Sequence, residues 1–119
     1  MNMLFINCEP DIAEEIEDYI WAHKNQAFFA RTTEAAIRSL NQHEIGFVVL
    51  NIYNLRDAAI LRYINEHYRD TEVLILASQE YDEIISLFKT GRYHVMRQPL
   101  HLSELKQNIL SSSKCLEEM

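Results

Sequence analysis

Two side chains of this sequence are candidates for chemistry, an asparagine at a predicted strand end and an isolated cysteine. Asn51 directly follows the apolar run Phe47-Val-Val-Leu50, and a short continuous apolar run is typical of a strand buried on both faces. Open α/β sheets gather their functional groups at the carboxyl ends of the strands. Asn51 is therefore predicted to lie at the floor of any site that the protein has.

Cys8 follows another apolar run and precedes a predicted helix. This position fits either a redox thiol of lowered pKa or a partly buried structural cysteine. The histidines fall in different predicted elements without the spacing of metal ligands, which favours surface or capping roles over metal binding. They are His23, His43, His67, His94 and His101.

Composition excludes several classes of function. A chain of 119 residues is long enough for one domain, and its net charge of −7 argues against binding nucleic acid. Gly46 and Gly91 are the only glycines, too few for a Walker loop or a dinucleotide-binding turn. The sequence shows no membrane span or signal peptide. With two cysteines and no disulfide framework, a cytoplasmic location is expected.

The hydrophobic pattern predicts five strands that alternate with five helices. The strands are predicted over residues 3–6, 27–30, 46–51, 73–77 and 93–96. The first helix is predicted to begin at Pro10, and the second is predicted to follow a cap at Thr32 or Thr33. The third, fourth and fifth helices are predicted over residues 56–68, 81–89 and 102–110. Gly91 is the predicted C-cap of the fourth helix. Strict alternation implies an α/β fold with a parallel sheet, right-handed crossovers and helices on both faces. We expect one domain over residues 1–110, with residues 111–119 as a tail or the start of a linker.

Over essentially the whole chain, the pattern resembles the receiver domain of two-component response regulators. The resemblance rests on four segments taken together: Phe5-Ile-Asn-Cys-Glu-Pro-Asp11, Val48-Val-Leu-Asn51, residues 73–78, and Gln98-Pro99-Leu100 with Glu104-Leu105. It implies the five-stranded, doubly wound, flavodoxin-like (CheY-like) fold with strand order 2-1-3-4-5.

The resemblance also assigns roles to strand ends, and this sequence departs from the receiver pattern at each chemical position. In receivers, an aspartate ending strand three accepts a phosphoryl group and two acids ending strand one help to bind Mg²⁺. A hydroxyl residue and a lysine then contact the phosphoryl group, and an aromatic residue switches position. In this sequence the acid pair is replaced by Asn7 and Cys8, and the acceptor by Asn51. The hydroxyl position holds Ala77, the lysine position holds Gln98, and the aromatic position holds Val95. Nearby polar residues are Glu9, Ser78 and Arg97.

These replacements remove the chemistry that the resemblance implies. A carboxamide is not a usable nucleophile toward a phosphoryl group, Glu9 alone is too little to hold Mg²⁺, and a glutamine lacks the charge of a lysine. Neutral side chains also remove the repulsion among clustered carboxylates. The expectation is a degenerate receiver that is no enzyme, needs no cofactor or metal, and is fixed in one state.

The partner is expected to be a protein, either an attached output domain or a second copy. The fourth helix, fifth strand and fifth helix form the face by which receivers usually pair, and its candidate contact residues are Leu87, Tyr93, Arg97 and Leu102. The polar end of the chain favours an N-terminal module of a longer regulator. Two alternatives stay open. One is a small-molecule or redox-sensing pocket at Asn7, Cys8, Asn51 and Gln98, and the other is a residual phosphoacceptor that uses Ser78 and Arg97.

Overall fold

Five strands and five α-helices alternate along the described chain. The structure is a computed structural model that describes residues 1–22, 25–87, 92–98 and 101–111. The strands are β1 (Asn2–Ile6), β2 (Gln26–Ala30), β3 (Ile45–Asn51), β4 (Glu72–Ala77) and β5 (Arg92–Arg97). The helices are α1 (Pro10–Ala22), α2 (Thr33–Gln42), α3 (Ala59–His67), α4 (Asp82–Leu87) and α5 (Leu102–Ser111).

All neighbouring strands of the sheet run parallel, in the order β2-β1-β3-β4-β5. This is the predicted topology, so the fold prediction is confirmed. The central strand β3 pairs with β1 on one side and with β4 on the other, where Asn51 lies opposite Leu76. The carboxyl ends of the five strands therefore meet at one edge of the sheet.

Each face of the sheet packs against its own layer of helices. Leu4, Val48 and Leu50 belong to a core shared with α2, α3 and α4. Phe5 and Val49 belong to the opposite core, shared with α1 and α5. Because successive strand residues point to opposite faces and both faces are buried, strands β3 and β4 read as continuous apolar runs. Each fully buried Leu or Ile stabilises such a core by about 1.5–3 kcal/mol.

Local sequence signals explain where two of the helices begin. Pro10 is the first residue of α1, as predicted. The side chain of Thr32 caps α2 by accepting a hydrogen bond from the Ala35 amide at 3.1 Å, which selects one of the two predicted caps. Polar caps satisfy backbone amides that the first helical turn leaves without partners.

The predicted third and fourth helices begin differently in the structure. The helix predicted over residues 56–68 is a 3-10 helix, Leu55–Ala58, followed by α3. The helix predicted over residues 81–89 is preceded by a 3-10 helix, Gln79–Tyr81, and the described part of α4 ends at Leu87. The first turn is capped by the Asn54 side chain, which accepts from the Asp57 amide, and the second follows Ser78, whose hydroxyl donates to Glu80.

Some predictions fall on parts of the chain that the structure does not describe. The predicted C-cap at Gly91 and residues 112–119 of the predicted tail lie outside the described residues. Helix α5 reaches Ser111, one residue beyond the predicted end of the domain. None of the described helices has the length and apolar character that crossing a membrane requires.

Candidate functional site at the carboxyl edge of the sheet

Asn51, the last residue of β3, is buried beneath Gln98. Only 4% of Asn51 is exposed. The Gln98 amide nitrogen Nε2 donates to Asn51 Oδ1 at 2.6 Å, and it also lies 2.9 Å from the Ile52 carbonyl and 3.2 Å from the Leu76 carbonyl. A single amide group thus spans β3, β4 and the end of β5. The two side chains are in direct contact and carry no net charge.

Tyr53 covers the other side of Asn51. The Asn51 nitrogen Nδ2 donates to the Tyr53 hydroxyl at 2.8 Å, so both ends of the buried carboxamide are satisfied. Burial, reinforced by the nearby Glu9 carboxylate, raises the pKa of the Tyr53 phenol. The phenol therefore stays protonated and neutral. The Tyr53 carbonyl in turn accepts a hydrogen bond of 2.8 Å from the Tyr81 hydroxyl, which ties the loop after β4 to the loop after β3.

Asn7, at the end of β1, reaches a carboxylate rather than Asn51. Its Nδ2 donates to Asp57 Oδ1 at 2.8 Å. The other oxygen, Oδ2, accepts from the amides of Tyr53 at 2.8 Å and Asn54 at 3.2 Å, while Asn54 Oδ1 accepts from the Asp57 amide. This reciprocal pair is a capping box at the start of the 3-10 helix. Asp57 therefore fixes the loop after β3 against the end of β1.

The backbone of Asn7 has a positive φ of 62°. Asparagine enters the left-handed region more readily than most residues because its short polar side chain forms local hydrogen bonds. The turn directs the chain from the end of β1 toward Pro10 and α1. Asn7 thus serves both the backbone geometry of the edge and the link to Asp57.

A shallow cavity of about 350 Å³ opens beside this network. Its described lining residues are Asn7, Cys8, Glu9, Arg31 and Tyr53. Asn51 and Gln98 are not among them, because Tyr53 covers Asn51. Burial raises the pKa of the Cys8 thiol to about 12. The thiol is therefore protonated at neutral pH, whereas a reactive cysteine needs its thiolate.

Comparison with known proteins identifies the fold. No protein-family model matches the sequence, and a search of curated proteins found no match. The receiver domain of a putative Luxo repressor protein from Vibrio parahaemolyticus has a TM-score of 0.76 at 19% identity, covering 98% of this chain and 93% of that one. A two-component response regulator from Clostridium difficile has a TM-score of 0.75 at 16% identity, covering 98% and 96%. The chain has the receiver fold.

NtrX from Brucella abortus shows the same receiver fold inside a longer chain. Its TM-score is 0.73 at 20% identity, covering 98% of this chain but only 27% of the NtrX chain. The isolated NtrX receiver domain gives 0.72 at 21%, covering 97% and 98%. This chain therefore spans about a quarter of the longer structure that it matches. Identities near 20% establish a shared fold, so the roles of individual residues depend on the geometry of this chain.

The receiver fold implies Mg²⁺ beside the acceptor position, and the donors present here do not fit that ion. Mg²⁺ prefers charged oxygen ligands in octahedral geometry. The ends of β1 and β3 offer two amides, a protonated thiol and the single carboxylate of Glu9, and both Asp57 oxygens already accept hydrogen bonds. Within the described residues, no group of three or more His, Cys, Asp or Glu side chains could hold a metal ion. No step of the proposed function involves a metal.

Ser78 and Arg97, the candidate substitutes for the receiver's hydroxyl residue and lysine, do not reach this network. Ala77 is fully buried and carries only a methyl group. Ser78 donates to Glu80 Oε1 at 3.0 Å. Arg97 forms a two-pronged pair with Asp82 at 2.7 and 2.8 Å, a pair that lowers the pKa of Asp82. Both polar side chains are thus engaged away from Asn51, in keeping with the alternation of strand faces.

The face made by α4 and β5 exposes apolar side chains. Leu87 is 77% exposed and Val95 is 44% exposed. Tyr93 is half-buried, packs against the core and donates its hydroxyl to Asn65. Arg97 bridges to α4 through Asp82. Leu102 begins α5, and its side chain lies outside the described part of the structure.

Sequence reasoning missed the residues that organise this edge, namely Tyr53, Asn54, Asp57 and Tyr81. One local signal was present, because Asn54 and Asp57 have the three-residue spacing of a capping box. The contacts of Tyr53 and Tyr81 leave no such pattern, since they join two loops that are 28 residues apart. Their positions depend on the folded sheet.

Proposed function

We propose that this chain is a receiver-like signalling module of the two-component type, which regulates an attached or partner output domain through protein–protein contact. It acts without phosphoryl transfer and without catalysing a reaction. The observation that carries this proposal is the buried Asn51 carboxamide, held between Gln98 and Tyr53. The position where receivers place a reactive carboxylate is occupied by a neutral group whose donor and acceptor are both used.

The physical argument concerns what could drive a switch. Phosphorylation acts by adding negative charge that recruits new hydrogen bonds and cations. At this edge the two hydrogens of the Gln98 amide nitrogen already face three acceptors, namely Asn51 Oδ1 and the carbonyls of Ile52 and Leu76. A neutral network of this kind has no uncompensated charge for a ligand or a metal to relieve. This supports a module that stays in one state.

The loops around the site support the same proposal. Asp57 links the loop after β3 to Asn7, and the Tyr81 hydroxyl links the loop after β4 to Tyr53. In a receiver these loops would have to move to report a chemical event at residue 51. Here each loop is held by side-chain hydrogen bonds, each of which stabilises the folded state by about 0.5–1.5 kcal/mol.

The proposed partner surface is the face of α4, β5 and α5. The exposed Leu87 and Val95 provide the apolar contact that a protein partner or a second copy would bury. An attached output domain is supported by NtrX, in which the receiver fold is a minor part of a longer chain. A cytoplasmic location fits the free thiol of Cys8.

Phosphoryl donors test the proposal directly. The full chain is incubated with acetyl phosphate and Mg²⁺, and the intact mass is measured. In parallel, light scattering is recorded with and without beryllofluoride, which mimics a phosphoryl group. We expect no phosphoryl adduct and no change in oligomeric mass. An adduct at near-stoichiometric yield, located by peptide mapping between Asn51 and Asp57, would support a residual phosphoacceptor instead.

The cavity of about 350 Å³ favours one alternative, a small-molecule-binding domain. Arg31 and Glu9 offer charges of both signs there, which would suit a small zwitterion. The raised pKa of Cys8 argues against thiol chemistry at the same place. Titration of the labelled protein with glycine and with acetate, followed by amide NMR, separates the two functions. Saturable shifts confined to Asn7, Glu9 and Arg31 would favour ligand binding.

A further inference from the structure

Among the described residues, strand β2 lies at an edge of the sheet and pairs with β1 alone. The Gln26 amide donates to the Met1 carbonyl at 3.0 Å, and the Ala30 carbonyl accepts from the Asn7 amide at 2.9 Å. Because the groups of a strand alternate in direction, the amides and carbonyls of Ala27 and Phe29 point away from β1. These groups can pair with another strand.

The surface beside this edge combines exposed aromatic side chains with carboxylates. Trp21 is 75% exposed and Phe29 is 39% exposed. Between the end of α1 and the start of β2 lies a second cavity, of about 330 Å³. Its described lining residues are Glu17, Asp18, Trp21, Asn25, Gln26 and Ala27. An aromatic ring beside two carboxylates suits a cationic side chain, and a guanidinium above all.

The chain carries the matching cation on the same strand edge. If a second copy pairs antiparallel with β2 about a twofold axis at Phe28, Ala27 lies opposite Phe29 of the copy, and their outward groups form four hydrogen bonds. In that register Arg31 lies opposite Asn25. Ala27 and Phe29 share one face of β2, which is the α1 face because Ala27 packs against the core that contains Ile16 and Ile20. Asn25 and Arg31 directly flank the strand, and continued alternation would place them on the same face.

We propose that the β2 edge is a self-association surface, on which two copies form a continuous antiparallel β2–β2 ladder. Arg31 of each copy enters the cavity of the other, over Trp21 and beside Glu17 and Asp18. The contact is self-complementary, so it closes as a twofold dimer. The net charge of −7 disfavours unspecific association, whereas this register places the Arg31 guanidinium of each copy beside two carboxylates of the other. The surface lies at the sheet edge opposite β5, so it is independent of the proposed function.

Sedimentation equilibrium on the full chain measures the dissociation constant, and Trp21 provides a local signal because it is the only tryptophan. We expect the parent chain to self-associate through this contact, and we expect the contact to shift Trp21 emission to shorter wavelength. Arg31→Glu and Asp18→Arg should each raise the dissociation constant about tenfold or more, since each removes an attraction and adds a repulsion. The double variant D18R/R31E should recover most of that loss, because it restores opposite charges across the axis.

A backbone variant tests the ladder itself. The substitution Ala27→Pro removes an amide that points away from β1. Two of the four intermolecular hydrogen bonds are therefore lost, whereas the hydrogen bonds between β1 and β2 are kept. Circular dichroism checks that the variant is folded, and its dimer should weaken strongly. Leu87→Glu, on the opposite edge, should leave the Trp21 signal unchanged. A chain that stays monomeric at millimolar concentration, a double variant no better than the single ones, or a Trp21 signal abolished by Leu87→Glu would overturn the proposal.

Discussion

Gln98 is the residue on which the carboxyl edge depends most, because its amide nitrogen faces three oxygen acceptors. We predict that Gln98→Glu lowers the free energy of unfolding at pH 7 by about 2 kcal/mol, since a carboxylate would face those oxygens without a proton to donate. Gln98→Lys keeps donors toward the same oxygens and should cost much less. Urea denaturation of the two variants and the parent measures the difference.

The pH dependence of Gln98→Glu follows from the same contacts. Three acceptor oxygens favour the protonated acid, so the pKa of the new carboxyl should be raised in the folded state. Above the ordinary glutamate pKa of about 4.3, the folded variant still holds a proton that its unfolded chain has lost. The loss of unfolding free energy relative to the parent, which is the deficit of the variant, therefore grows as pH rises through that value. Below that pH most of the deficit should disappear. An equal loss for the glutamate and lysine variants at every pH would contradict this account.

Cys8 gives a second prediction for a single residue. Its pKa of about 12 means that very little thiolate exists at pH 8. In a Cys115→Ser background, where Cys8 is the only thiol, we expect iodoacetamide to react at least about 100-fold more slowly with folded than with denatured protein. The folded-state rate should keep rising with pH beyond 9. A plateau near pH 8 would instead indicate an activated cysteine.

At the scale of elements, the sequence predicts the architecture well because burial on both faces leaves a strong signal. The apolar runs of β3 and β4 and the alternation with amphipathic helices predict the parallel sheet, and the observed strand order is the predicted one. Thr32 is one of the two caps that the sequence predicts for α2, because capping depends on neighbours in sequence. The 3-10 turns before α3 and α4 were missed, since short turns depend on side-chain contacts that no periodicity records.

The same distinction applies to the candidate site. The prediction that strand-end residues gather at one edge follows from topology, and the structure places Asn51 in contact with Gln98. The sequence does not predict that Asn7 contacts Asp57 rather than Asn51. The path of the loop after β3 decides which carboxylate approaches β1. Residue types at strand ends are readable from sequence. Their partners in loops are not.

Asp57 allows the loop after β3 to be tested as an element. Asp57→Ala removes acceptors for Asn7 and for the amides of Tyr53 and Asn54. We predict a loss of about 1–2 kcal/mol in the free energy of unfolding, the usual range for a lost cap with an added long-range hydrogen bond. Amide hydrogen exchange should accelerate first at Tyr53 and Asn54.

Asp57→Asn is the matched control for that loop. A carboxamide can still accept from one of the backbone amides, and the Asn7 side chain can rotate to accept from its nitrogen. The loss should therefore be smaller than for alanine. If alanine and asparagine at position 57 both left stability and exchange unchanged, the loop would be held by its backbone alone.

At the scale of the whole molecule, an open five-stranded sheet has two different edges. The proposed contact through Leu87 and Val95 uses the β5 side, and the proposed ladder uses β2. Two twofold contacts on opposite sides of one subunit cannot both close within a dimer. Used together, they join copies alternately into assemblies larger than a dimer, which are closed rings where the two axes meet and open chains where they do not.

This gives a prediction about assembly size. At high concentration the parent chain should form species larger than a dimer, because each copy offers two unlike contacts. A double variant with Leu87→Glu and Val95→Glu should form only dimers, and these should keep the Trp21 signal. A double variant with Arg31→Glu and Ala27→Pro should also form only dimers, but without the Trp21 signal. Combining all four substitutions should give a monomer. Sedimentation velocity distinguishes the three expected sizes, which are monomer, dimer and larger assembly. Parent assemblies that stop at the dimer would show that only one edge is used, and the Trp21 emission of that dimer would identify which one.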